Sequence, residues 1–106
     1  METHHALKPA TQTLLRRYYI KPGEWEGFLD VWRRVAKIRR RFGFKILFAL
    51  VDEQENVFTW AISYDGDIDE VHERYYRDPE RVPLGFIADY VLDAKITAVR
   101  QEPVPW

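Results

Sequence analysis

Proton chemistry in this 106-residue chain has one well-placed candidate, His72, whose ordinary pKa near neutrality suits a general base acting on an acidic carbon or a phenol. Ile68, Val71, His72 and Tyr75 fall at i, i+3, i+4 and i+7, so His72 lies on the stripe of a helix that must meet a neighbouring layer. Just upstream, Phe58, Trp60, Ile62 and Tyr64 alternate as one face of a strand. A histidine over this aromatic strand suggests a site without naming a reaction. The bland reading of the same stripe is a filled core in which His72 has a satisfied hydrogen bond. Tyr76 and Arg81 form a second candidate pair that holds an anionic group near the helix end; alternatively Arg81 pairs with Asp78 or Glu80 and fixes a loop.

Composition removes several other chemistries. The chain has no cysteine, which excludes disulfides, thiolate metal sites and cysteine nucleophiles. A net charge of −1 supplies no field for nucleic acid or an anionic membrane. Arg33, Arg34, Lys37, Arg40 and Arg41 crowd one helix, but without interleaved aromatics they read as its solvated face. Asp65-Gly66-Asp67-Ile68-Asp69-Glu70 resembles a calcium loop only superficially: Glu70 stands where that loop needs glycine, and Tyr76 where it needs a bidentate glutamate. Asp67 is instead a helix N-cap. His4 and His5 sit in a polar stretch, residues 1–12, read as a mobile tail without a metal role. No cofactor is expected. No apolar run reaches the length of a membrane span and METHHALKPATQ lacks an apolar signal core, so a cytoplasmic location is expected.

The elements that must position these residues follow from pattern and punctuation. Residues 13–106 form one domain: a strand over Thr13–Ile20, a Pro22-Gly23 turn, and a helix over Glu24–Phe42 closed by Gly43. A hairpin of strands over Phe44–Val51 and Val57–Tyr64 comes next, then a helix from Asp67 to Arg77 stopped by Pro79. Asp78 caps a turn at Pro79-Glu80-Arg81, a short helix covers Leu84–Tyr90, and a strand over Ala94–Gln101 closes the chain, anchored by Ile96 and Val99. The order βαββαβ is that of an α+β ferredoxin-like domain, with an antiparallel four-stranded sheet and two main helices on one face. If Val51 pairs with Val57, the even-numbered residues from Phe44 to Tyr64 share the helix-covered face. Leu47, Ala49, Val57 and Ala61 then lie on the opposite face, which is too apolar for water and calls for a second copy in a two-fold homodimer. Of the neighbours Arg16 and Arg17, one must point into a covered layer; alternation alone leaves open which.

The stretches LRRYYIKPGEWEGFLDVWR and YYRDPER also resemble NIPSNAP-type domains, from Leu14 onward. That resemblance implies the dimeric α+β barrel superfamily, a sheet-to-sheet homodimer and a ligand site between sheet and helices, for which Phe48, Trp60, Tyr64, His72 and Tyr75, with Tyr18 from the first strand, are the candidate walls, the aromatic ones able to stack an aromatic ligand. It implies little about reaction, because the superfamily includes cofactor-free antibiotic-biosynthesis monooxygenases, polyketide cyclases and heme-degrading enzymes. The heme-degrading pattern pairs a helix histidine with a first-strand asparagine; here Leu, Arg, Tyr and Ile fill that strand, with Gln12 only at its start. Three readings stand: a cofactor-independent oxygenase, cyclase or isomerase using His72; a non-catalytic structural or ligand-binding dimer; and an accessory subunit that docks on another protein.

Overall fold

A computed structural model describes residues 11–105 of the chain; His4 and His5 lie outside the described residues. Strand β1 (Thr11–Ile20) leads into helix α1 (Trp25–Arg41), followed by β2 (Lys45–Asp52), β3 (Val57–Asp65), α2 (Ile68–Arg77), a 3-10 helical segment over Val82–Tyr90, and β4 (Val91–Val99). All three pairings are antiparallel and the sheet order is β2-β3-β1-β4, the ferredoxin-like arrangement. The punctuation works as its chemistry dictates. Gly23 takes φ +79° in the turn where Glu24 N–H bonds the Lys21 carbonyl, and Gly43 takes φ +94° just past the end of α1. Asp67 caps α2 by accepting from the Asp69 and Glu70 amides at 3.1 Å each. Asp78, before Pro79, is extended and ends that helix. Among the described residues no helix is long and apolar enough to cross a membrane.

The core lies between the sheet and α1 and α2. Phe28, Val31, Val35 and Ile38 from α1 meet Phe58, Trp60 and Ile62 of β3, while Val71 and Tyr75 of α2 and Leu84 close the rest. The helical turn expected after Asp78 is present: its side chain accepts from the Glu80 amide at 3.0 Å and its carbonyl from the Arg81 and Val82 amides at 2.9 Å each. Two expectations need correction. The last strand begins at Val91, directly after the 3-10 segment, rather than at Ala94, because Ile20 pairs with Val91 past a register shift. The second correction matters most. The expected hairpin register holds at Lys45–Ser63 and Ile46–Ile62, then slips at a bulge between Ile46 and Phe48, so that Phe48 pairs with Ala61 and Val51 with Phe58. A one-residue slip exchanges the two faces of a strand. Phe48 and Leu50 therefore join Ala61 and Thr59 on the outer face, 41% and 58% exposed, while Ala49 turns to the side of Trp60.

Candidate functional site

Pairing of Arg16 with Trp60 and of Tyr18 with Phe58 fixes the even-numbered residues of β1 on the helix-covered face. Arg16 is consequently the inward member of the Arg16–Arg17 pair and only 6% exposed. It lines a half-open cavity of about 180 Å³ formed by β1, α1, β3, the end of α2, the 3-10 segment and β4. Its walls are mostly apolar: Trp32 and Val35 of α1, Trp60 of β3, Ile87 and Ala88 of the 3-10 segment, and Val91 and Ile96 of β4. Tyr18, Tyr75 and Tyr76 add aromatic surface, and Arg16, Arg39 and Arg81 add three guanidinium groups; among the described residues no aspartate or glutamate lines the cavity.

Each guanidinium is held by aromatic groups. Arg39 is 1% exposed, with its Cζ 4.3 Å from the Tyr75 ring centre, 5.0 Å from Phe44 and 5.4 Å from Trp60. Its Nη1 meets His72 Nε2 at 2.9 Å and its Nη2 donates to the Tyr76 hydroxyl at 3.4 Å. Arg16 Nε donates to the Tyr18 hydroxyl at 2.9 Å, and Arg81 Nε donates to the Tyr75 hydroxyl at 2.8 Å. Arg81 is free to do so because Arg41 takes both nearby carboxylates, Asp78 at 3.0 Å and Glu80 at 2.7 Å. Among the described residues none of the three cavity arginines is paired with a carboxylate. Burial, with Arg16 nearby, pulls the Arg39 pKa below its ordinary value. Burial alone would raise the Tyr76 phenol, but Arg39, Arg16 and Arg81 around it leave its pKa lowered; Tyr75 is raised, chiefly by burial.

The cavity brings together Tyr18, Trp60, Tyr75, Tyr76 and Arg81 of the candidate residues. Phe48 is excluded from it by the β2 bulge. Tyr64 packs beside Phe44 with ring centres 5.4 Å apart, away from the cavity. His72 sits behind the wall: its ring stacks on Tyr76 at 5.7 Å, and a hydrogen bond with the Ile68 backbone leaves Nε2 to accept from Arg39. Burial and the charges of Arg39 and Arg16 push its pKa down to about 4, so His72 is neutral at physiological pH with its lone pair engaged. Arg39 and Trp32 are site residues that the sequence reading passed over. The signal was present, since Phe28, Trp32, Val35 and Arg39 recur at helical spacing and place Arg39 on the buried stripe.

No protein-family model matches the chain, and no curated protein matches it in sequence. Solved structures do match in fold. An uncharacterized NIPSNAP domain protein from Burkholderia xenovorans superposes with a TM-score of 0.75 at 16% identity, covering 86% of this chain and 94% of its own. A NIPSNAP-family protein from Agrobacterium tumefaciens gives 0.76 at 12% identity, covering 87% and 93%. A candidate antibiotic biosynthesis monooxygenase from Nitrosomonas europaea gives 0.69 at 11% identity, covering 88% and 91%. The chain thus has the ferredoxin-like fold that NIPSNAP and monooxygenase-like domains share, as the sequence resemblance implied for its architecture.

Proposed function

We propose that this protein is a small-molecule-binding homodimer whose ligand, apolar and aromatic in its body, occupies the cavity between the sheet and the helices. The observation that carries the reading is the cavity itself: about 180 Å³ walled by Trp32, Trp60 and three tyrosines. That volume is below the usual range of about 300–1,000 Å³ for drug-sized sites and suits a molecule with a single ring. The dimer rests on the outer sheet face, where Phe48 and Leu50 stand exposed beside Thr59 and Ala61. A cytoplasmic location belongs to the same reading. Native mass spectrometry of the purified protein and melting curves with small aromatic compounds test it together. The expected result is a dimer whose Tm rises saturably by about 4 °C or more, roughly 1 kcal/mol for a domain of this size. A monomer overturns the assembly, and an unmoved Tm across such compounds overturns the pocket.

One observation favours a catalytic version over a purely binding one. Tyr76 presents a phenol of lowered pKa at the cavity, held by Arg39. Such a group is a more acidic proton donor than an ordinary tyrosine toward a bound phenol or enol, and proton transfer is the step that a cofactor-independent isomerase, cyclase or oxygenase requires first. In this version His72 is the positioning residue for Arg39 rather than the base that moves the proton. Proton–deuterium exchange at the acidic carbon of a bound ligand, fast in the native protein and lost in Tyr76→Phe, is the expected signature. Equal exchange in both proteins would leave only the binding function.

A further inference from the structure

We infer that the ligand of this cavity carries an anionic oxygen head group, carboxylate or phosphate, held at the rim by the terminal nitrogens of Arg81 beside Tyr76. The inference rests on the pocket reading and adds a charged end to its ligand. Arg81 is half-buried and lines the cavity, and only its Nε is in use, donating to the Tyr75 hydroxyl at 2.8 Å. The side-chain nitrogens that are both buried and unpartnered among the described residues are Trp32 Nε1, Trp60 Nε1 and Arg39 Nε. The terminal nitrogens of Arg81, also without a hydrogen-bond partner among the described residues, are therefore accessible. Tyr76 beside them is 45% exposed, so this corner is a solvent side of the half-open cavity. Parallel donors at the end of a guanidinium match the paired oxygens of a carboxylate or a phosphate. The fork is held in place before any ligand arrives: Tyr75 is fully buried and fixes Nε, while Arg81 Cζ lies 5.3 Å from the Tyr75 ring centre and 5.1 Å from that of Tyr76.

Charge selects an anion over a neutral polar group. The carboxylates nearest Arg81 in sequence, Asp78 and Glu80, are both taken by Arg41, whereas Arg74 and Arg77 of α2 have carboxylates of their own in Glu70 and Glu73. Arg81 is left without one among the described residues, as are Arg16 and Arg39 deeper in the wall. Desolvated cations are ordinarily paired, and this group lacks a counter-ion. Arg39 is not itself the contact, being 1% exposed with its terminal nitrogens engaged by His72 and Tyr76; it and Arg16 act through their charge. Tyr76 registers that field. Burial raises its phenol pKa, yet Arg39, Arg16 and Arg81 leave it lowered, so negative charge is favoured at this corner. Ile87, Val91 and Ile96 then take the apolar body of the ligand.

Isothermal titration of the full chain at fixed ionic strength with benzoate, phenyl phosphate and neutral benzamide tests the head group. At least one of the two anions is expected to bind about tenfold or more tighter than benzamide, and the tighter of the two identifies the head. Arg81→Gln is expected to erase that preference while leaving benzamide within about twofold, and Arg74→Gln, outside the cavity, is expected to keep it. Benzamide binding as tightly as both anions overturns the anionic head but leaves an apolar pocket standing. A preference that survives Arg81→Gln, or is lost equally in Arg74→Gln, overturns the assignment to Arg81. Binding of none of the three overturns this inference, and together with an unmoved Tm it removes the pocket reading too. If Arg81→Gln does not fold, Arg81→Lys keeps the charge and loses the fork: anion binding is expected to weaken severalfold with benzamide unchanged, and unweakened anion binding overturns the fork.

Discussion

His72 and Arg39 share one hydrogen bond, and that bond decides what each can do. His72 folds with a pKa of about 4 against an ordinary value of 6.5, so the unfolded chain binds more protons between those values. Stability attached to neutral His72 is therefore fully present above pH 6.5 and lost as pH falls towards 4. Because the ring is half-buried, solvent screening reduces the effect to about 1–2 kcal/mol. Melting curves across that window should show a flatter pH dependence for His72→Gln than for the native chain; parallel curves would mean that the ring titrates normally. Tyr76 gives a second residue-scale prediction. An ultraviolet difference titration should show one phenol ionising below the ordinary tyrosine value, missing in Tyr76→Phe. The sequence exposed His72 as a sheet-facing histidine. It could not expose the partner that occupies it, because Arg39 stands 33 residues away and the contact exists only once α1 and α2 pack.

Elements carried most of what was legible. Period-3.6 stripes, alternating strands, Pro-Gly turns and the Asp67 cap locate α1, α2 and the sheet within a few residues, because each depends on local chemistry. Asp67→Ala should lower stability by about 1 kcal/mol through loss of the cap on two amides, and Gly43→Ala by about 1–2 kcal/mol through its left-handed φ. Urea unfolding of each variant checks both, and an unchanged midpoint would remove either role. The β2 bulge was not legible. Alternation in Phe44–Val51 fits a straight strand equally well, and the extra residue appears only when β3 supplies the other half of the register. Phe48 was consequently assigned to the pocket and Ala49 to the outer face, each on the wrong side of the sheet.

For the molecule as a whole, that slip enlarges the apolar surface that a second copy would cover. Phe48 and Leu50 replace the smaller Ala49 and Val51 beside Thr59 and Ala61. Phe48→Glu combined with Leu50→Glu should convert the proposed dimer to a folded monomer by native mass spectrometry, since two like charges at such a seam oppose its burial. A dimer that survives both changes would place the interface elsewhere. The Val82–Tyr90 segment carries a different consequence, in time rather than in space. It supplies Ile87 and Ala88 to the cavity wall, yet it is nine residues of 3-10 helix, a geometry whose strained hydrogen bonds rarely persist beyond three or four. Its amides should exchange with deuterium well before those of β3, so residence of anything in the cavity is governed by local opening of this wall and not by affinity alone.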